Sequence, residues 1–310
     1  MQKGQKMSAA QRQKISAAHQ GLKHTAATKK KLCAQARRVA QLERLLEPIP
    51  LAYYWIGFLL ADGHVTPRGQ LRLRIAECDK AHLLKYGRFI HYTGKVATHV
   101  GSKPTHQNDV CIVAANKQVL AQLAEFGLRP RKTYYPPQPE SLPADTDLML
   151  SLLIGFIDGD GAIQYQTGRS DCKLTIKVHS TWLSILAALR QRVVSIFNTD
   201  MAEPHINAQG YAHWCMANQR VLRELKQHAI RLGLPMLARK WDKIDLERGP
   251  GRGEVAKERL LLAQQLREQD YSNVEIAKTL HVSYACIEAM MWRGKLMRRQ
   301  KWVKLNTKEN

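Results

Sequence analysis

Acid is scarce in this chain: Asp and Glu number 26 against 48 Lys and Arg in 310 residues, a formal net charge of +22. A surface so unbalanced needs a polyanionic partner or heavy solvation. No apolar run approaches the roughly 20 residues that span a bilayer, and no hydrophobic stretch follows the basic N-terminal residues, so neither a membrane span nor a secretory leader is expected. The six cysteines (Cys33, Cys78, Cys111, Cys172, Cys215 and Cys286) lie far apart with no CxxC pair, which excludes zinc-ribbon and zinc-finger spacings and fits a reducing compartment. A soluble, cytoplasmic protein is the expectation. Its positive charge is spread along the chain rather than gathered beside one amphipathic helix, which favours nucleic acid over a membrane surface.

Residues 1–40 carry ten Lys or Arg, no acid and few large apolar side chains, so they cannot bury a core of their own. A weak repeat at an offset of 17 relates SAAQRQKISAA, from Ser8, to TAATKKKLCAQ, from Thr25. Ser8 and Thr25 suit helix N-caps, with Ile15 and Leu32 as lone apolar anchors. A solvated basic tail is the plain alternative. The stretch from Ser8 to Lys31 also resembles the nuclease-associated modular DNA-binding motif found at the ends of several homing endonucleases. That resemblance implies short helices and extended chain along DNA, with Lys14, Lys23, Lys29 and Lys30 as contacts.

A second repeat, at an offset near 100, organises the middle of the chain. LAYYWIGFLLADGHV (Leu51 to Val65) and LMLSLLIGFIDGDGAI (Leu148 to Ile163) are both apolar helices ending at Asp-Gly. Strand-like alternation follows each: Leu71, Leu73 and Ile75 interleave with Arg72 and Arg74, and Leu174, Ile176 and Val178 with Lys173 and Lys177. Period two puts the apolar set on one sheet face and the basic set on the other. AANKQVLAQL (Ala114 to Leu123) then matches MANQRVLREL (Met216 to Leu225), a strand running into a helix, and each copy closes on a basic cluster ending at Lys132 or Lys240. A proline-rich linker, Tyr134 to Asp147, joins the two mixed helix-and-strand halves.

Beyond the glycine-rich hinge Gly249 to Gly253, three helical segments are expected, the second opened by a Ser272/Glu275 capping box and the third by Ser283. Ile276, Ala277, Val282 and Ile287 occupy the packing positions of a helix-turn-helix, although a plain three-helix bundle shares that periodicity. In the DNA-binding version Ser283, Tyr284 and Arg293 are contacts, and the acid-poor basic tail after Trp292 supports it. The expected divisions are thus an arm over 1–45, a core over 46–247 with halves near 50–135 and 146–246, and a helix-turn-helix over 254–310.

Small residues four apart, Gly57 with Ala61 and Gly155 with Gly159, lie on one face of each repeat helix and let two backbones approach at a pseudo-twofold axis. The last turns then deliver Asp62 and Asp160, each followed by a glycine, Gly63 or Gly161, suited to a left-handed C-cap. A carboxylate at the negative end of a helix is locally unfavourable, and two side by side are worse unless a cation sits between them. Mg²⁺ binds through one or two carboxylates plus substrate phosphates, which such a pair beside DNA would provide. A single Asp-Gly is an ordinary turn dipeptide; its duplication on matched helices is what points to function.

WIGFLLADG (Trp55 to Gly63) and LIGFIDGDG (Leu153 to Gly161) resemble the paired signature motifs of single-chain LAGLIDADG homing endonucleases, over roughly residues 50–246. The resemblance implies an α+β fold of two pseudo-symmetric αββαββα halves whose concave sheets sit on the DNA major groove. It implies a monomer in which Asp62 and Asp160, with the adjoining Gly63 and Gly161, hold Mg²⁺ or Mn²⁺ at the scissile phosphates, and cuts that leave short 3′ overhangs, as in intron homing. Lys132 and Lys240 fit the family's active-site lysines, although they lie 70 and 80 residues beyond their aspartates, so the second fit is looser. The first motif departs from the pattern at Leu60, where the second keeps Asp158. Arg72, Arg74, Lys173 and Lys177 are candidate contacts to bases or phosphates. Two other readings stay open at this point: a non-cleaving transcription regulator of the same fold, and a maturase whose partner is intron RNA.

Overall fold

The structure is a computed structural model with side chains, and it describes residues 8–19, 25–28, 31, 39–101, 107–166, 171–246 and 252–291. These fall into two compact units, one of residues 1–162, 175–215 and 228–240 and one of residues 163–174, 216–227 and 241–310. In chain order the elements are α1 (Ala9–His19), α2 (Pro50–Asp62), β1 (Gly63–Val65), β2 (Leu71–Ala76), α3 (Lys80–Phe89), β3 (Ala97–His99), β4 (Asp109–Ala114) and α4 (Lys117–Leu123), then α5 (Thr146–Asp160), β5 (Gly161–Tyr165), β6 (Cys172–His179), α6 (Leu183–Phe197), β7 (His205–Ile206), β8 (Tyr211–Met216), α7 (Gln219–Arg231), α8 (Ala238–Trp241), α9 (Arg252–Glu268) and α10 (Asn273–Thr279); residues 284–291 are also helical. The order α-β-β-α-β-β-α therefore occurs twice. Its two four-stranded sheets share one topology, β1-β2-β4-β3 and β5-β6-β8-β7. This is the expected α+β architecture.

The alternation in the strands sorts as expected. Leu71, Leu73 and Ile75 of β2 are buried while Arg72 and Arg74 are exposed, and β6 buries Cys172, Leu174 and Ile176 while Lys177 is exposed. Antiparallel pairing of β2 with β4 sets Leu71 opposite Ala114 and Ala76 opposite Asp109. The matched strand-to-helix junctions hold too. Asn116 caps α4 by accepting from the Gln118 and Val119 amides, and Asn218 accepts from the Val221 amide at 3.3 Å.

α2 and α5 form the centre. Pro50 starts α2, where its missing N–H is one the first turn leaves unpaired anyway; Asp145 caps α5 through the Leu148 amide at 2.9 Å. Ala52 and Tyr54 to Leu60 are buried in α2, and Met149 to Asp158 in α5. A helix apolar on all sides is one covered on all sides. Glycine permits the closeness: a methyl at Gly57 would lie 1.9 Å from the Leu152 carbonyl oxygen, one at Gly155 would lie 1.9 Å from that of Tyr54, and one at Gly159 would lie 2.1 Å from the Ala61 methyl.

One polar cluster is buried with them. The Tyr54 hydroxyl donates to Asp158 Oδ2 at 2.6 Å, and the same oxygen accepts from the Leu237 amide at 3.1 Å. His82 Nε2 lies 3.0 Å from the Tyr54 oxygen. The tyrosine proton is committed to Asp158, so His82 is the donor here, and its Nδ1 has no partner among the described residues. Desolvation, with Lys85 nearby, lowers the His82 pKa to about 3. The equivalent of Asp158 in the first repeat is Leu60, so this cluster has no symmetry mate.

The glycines after the two aspartates depart from expectation. Gly63 (φ −72°, ψ 151°) and Gly161 (φ −82°, ψ 149°) are extended, not left-handed. Each begins a strand directly, and glycine is required because a methyl would lie 2.5 Å from the Leu59 carbonyl oxygen or 2.6 Å from that of Ile157.

At the N-terminal side, α1 is capped by Ser8, whose hydroxyl accepts from the Gln11 amide at 3.2 Å, and Thr25 likewise accepts from the Thr28 amide at 3.1 Å. The folded first half reaches back into the segment assigned to the arm on composition, because Leu42 and Leu45 are fully buried. In the C-terminal unit the Ser272/Glu275 capping box is present. Ala263, Ile276, Ala277 and Ile287 form the small core, with Val282 packed against it. Among the described residues no helix is long and apolar enough to cross a membrane.

Two outcomes are expected. Gly57→Ala forces a methyl into backbone and should cost about 3 kcal/mol or more by denaturant unfolding; a loss near zero would contradict the close contact. His82 stays neutral when folded but titrates near 6.5 when unfolded, so its contribution is whole above that pH and is lost as pH falls toward about 3. Between pH 7 and pH 5 the wild type should lose about 2 kcal/mol more stability than His82→Leu, and parallel losses would contradict this.

Candidate active site

The contact between α2 and α5 ends with both C-termini together, at Asp62 and Asp160. Both residues are exposed, and Asp62 Oδ2 lies 3.5 Å from where a methyl on Gly159 would stand. Protein packing nevertheless strips part of the hydration from each carboxylate. That desolvation, followed by the charge of Asp160, raises the Asp62 pKa to about 6; Lys240 and Lys132 pull the other way. Asp160 is raised too, first by desolvation, against the same two lysines.

The lysines occupy matching places. Lys132 Nζ donates to the carbonyls of Leu60 and Ala61, both at 2.6 Å. Lys240 Nζ donates to those of Ile157, Asp158 and Gly159 at 3.0, 2.5 and 2.9 Å. Each ammonium thus sits at the C-terminus of the helix that carries its half's aspartate. There it meets the negative end of the dipole and donates to last-turn carbonyls, of which that of Ile157 also accepts from the Gly161 amide. The unequal spacings of the lysines from their aspartates disappear in space. Desolvation lowers both lysine pKa values, opposed at Lys132 by Asp160 and Asp62 and at Lys240 first by Asp158.

A divalent cation fits this donor set. Two carboxylates stand near each other and are partly desolvated, a condition that a hard cation relieves. Among the described residues no group of three or more His, Cys, Asp or Glu is placed to hold a metal. The remaining ligands would have to come from water and a bound phosphate. Gly63 and Gly161 adjoin the pair, with their N–H groups donated to the Leu59 and Ile157 carbonyls.

The candidate contact residues are placed as follows. Arg72 Nη2 donates to Gln70 Oε1 at 2.8 Å, and Arg74 is committed to Asp109, with contacts of 2.9 and 2.7 Å. Lys173 is half-buried on β6. Lys177 is hydrogen-bonded to Gln209 Oε1, with its ammonium 4.6 Å from the Tyr211 ring centroid. Nothing in the local pattern of Gln209 or Tyr211 marks either as a partner for a cation on a neighbouring strand. Lys14 is exposed on α1. Ser283 accepts from the Cys286 amide at 3.3 Å as the cap of helix 284–291, and Tyr284 beside it is exposed. Lys23, Lys29, Lys30 and Arg293 lie outside the described residues.

Other residues beside the lysines were also missed. Arg239 forms a bidentate pair with Asp79 at 2.8 and 2.6 Å. The Thr133 carbonyl accepts from Thr181 Oγ1 at 2.6 Å and from Trp182 Nε1 at 3.1 Å. Each of these contacts joins the first repeat to the second within one compact unit.

The chain is similar in structure to the homing endonuclease I-WcaI bound to its DNA recognition sequence, with 12% sequence identity, a TM-score of 0.49, and 72% of this chain and 96% of that one covered. It is also similar to the LAGLIDADG homing endonuclease I-GzeII in complex with its DNA target, with 8% identity, a TM-score of 0.39 and coverages of 73% and 95%. For the I-LtrWI LAGLIDADG homing endonuclease bound to target DNA the values are 10%, 0.40, 63% and 86%. No protein-family model matches the sequence, and no curated protein matches it.

Lys240 and Lys132 hold the Asp62 pKa down, so removing either charge lets it rise. In Lys240→Met the carboxyl should titrate above the wild-type value of about 6 in a carbon-13 NMR pH series; an unchanged or lower value would place the ammonium elsewhere.

Proposed function

We propose that this protein is a site-specific double-strand DNA endonuclease of the LAGLIDADG homing type, acting as a monomer and leaving short 3′ overhangs. The observation that carries the reading is the pair of solvent-open aspartates at adjoining helix ends, each end capped by a lysine of its own half. Duplication within one chain supplies one aspartate and one lysine for each strand of a duplex, so no second copy is needed.

In this reading Asp62 and Asp160, beside Gly63 and Gly161, hold Mg²⁺ or Mn²⁺ together with scissile phosphates. Such a cation supplies charge neutralisation at phosphorus and a lower pKa for a bound water. The protein's own part is to orient and to neutralise. The two aspartates stay exposed at the ends of the helix pair, and Lys132 and Lys240 offer positive charge to the pentacoordinate phosphate as negative charge builds on its oxygens. Water adds to phosphorus, the bond to the leaving sugar oxygen breaks, and that oxygen takes up a proton.

Duplex DNA is the proposed partner. Exposed Arg72 and Lys177 reach it from the two sheet faces, with Lys173 beside them, and Arg74 joins by exchanging Asp109 for a base or phosphate. Lys14 and the neighbouring basic arm follow the backbone, and the helix opened by Ser283 and Tyr284 adds a further contact in the manner of a helix-turn-helix.

The test is cleavage of a randomised duplex library with and without Mg²⁺, followed by sequencing of the cut ends. Defined ends at one long site are expected. Asp62→Asn and Asp160→Asn should each abolish or strongly reduce cutting while binding is retained. Binding without cuts under any divalent cation would leave a DNA-binding regulator, and preference for structured intron RNA over duplex would leave a maturase. Removal of residues 1–40 should flatten the dependence of binding on salt by about 0.9 in log K against log salt for each phosphate that the arm neutralises; an unchanged slope would detach the arm from the phosphates.

A further inference from the structure

The residues next to Lys132 and Lys240 are held by matching positions of the opposite repeat. Asp79 is the residue before α3, and Trp182 is the residue before α6, so the two stand at the same place in the repeat. Asp79 pairs with Arg239, the neighbour of Lys240, and Trp182, with Thr181, donates to the carbonyl of Thr133, the neighbour of Lys132. We infer that these are two cross-repeat clasps, and that Asp79 on one side and Thr181 with Trp182 on the other are positioning residues, each setting the lysine of the other half's cutting position.

Several observations support the assignment. Asp is among the best N-cap residues, and Asp79 stands at the N-cap of α3, yet its side chain caps nothing there and goes to Arg239 instead. Its side chain is 11% exposed while that of Arg239 is 55% exposed, so the carboxylate is the fixed partner and the guanidinium comes to it. On the other side Trp182 is buried and stacks on Phe156 of α5 at 5.4 Å, which anchors the indole that holds Thr133. Tyr134, next in the chain, meets the His179 ring at 5.1 Å. A lysine ammonium on a flexible four-carbon stem needs a fixed backbone to stay on two or three helix carbonyls, and these contacts supply it.

The clasps differ in chemistry. One is a charged bidentate pair, screened by salt, and the other is made of neutral hydrogen bonds to a carbonyl. Each lysine therefore responds to a different substitution, and the substitution lies in the other half of the chain.

For strand cutting this rests on the endonuclease reading; for lysine placement it does not, and the test separates the two. In the full-length protein without DNA, the rate at which an acetylating reagent labels Lys240 and Lys132 is followed by peptide mass spectrometry. Asp79→Asn should raise labelling of Lys240 several-fold and leave Lys132 unchanged, and the double change Thr181→Val with Trp182→Phe should do the reverse. On a target duplex with each strand labelled separately, the two variants should slow opposite strands by about 10- to 100-fold, the size expected when a reacting group is displaced by about 1 Å. Asp79→Glu should restore most of the lost rate. Labelling that does not respond, or equal slowing of both strands, overturns the clasps. Labelling that responds as stated in a protein whose wild type cuts nothing keeps the clasps and removes the endonuclease reading.

Discussion

Everything at the site depends on how closely two helices can approach. Glycine at positions 57 and 155 lets the backbones of α2 and α5 touch through carbonyl oxygens, and that contact brings two helix C-termini to one place. It also creates an electrostatic problem. Two carboxylates and two negative dipole ends share a small, partly desolvated volume. Lys132 and Lys240 answer it by donating to the terminal carbonyls and by bringing two positive charges near the two carboxylates; the Asp62 pKa is raised all the same, first because packing strips water from the carboxylate and then because Asp160 is near.

Much of this could be read from the sequence because the molecule is duplicated. One Asp-Gly means little, but two on matched apolar helices point to a shared place, and Gly57 and Gly155 at matching positions point to the contact. Strand alternation was equally plain, since Arg72 and Arg74 can only lie opposite Leu71 and Leu73. The lysines were legible by their place at the end of each repeat, although their unequal spacing from the aspartates obscured the match until the loops were seen in space.

What escaped reading is long-range or local in a way that residue type does not express. Asp79 and Arg239 are separated by 160 residues, and each is an ordinary surface residue by type. The left-handed cap expected at Gly63 and Gly161 rested on the usual way helices end. Here the chain passes straight into a strand, and the glycine answers a steric demand from Leu59 or Ile157 instead. Asp158 stands out in the sequence as the acid that the first motif lacks at Leu60, but its partners, Tyr54 and the Leu237 amide, lie 104 residues before it and 79 residues after it.

The asymmetry of that buried cluster bears on how the two repeats can be recombined. A symmetric pair of first halves would set each Tyr54 hydroxyl against Leu60 and bury it without its acceptor. A symmetric pair of second halves would set Asp158 against Leu152 and bury a carboxylate without its tyrosine donor. Either arrangement loses the Tyr54–Asp158 hydrogen bond at both places, at about 1.5–3 kcal/mol for each bond to a charged group. The repeats have thus become complementary rather than interchangeable, and a split version of the chain should assemble as a first half with a second half and reject both self-pairings.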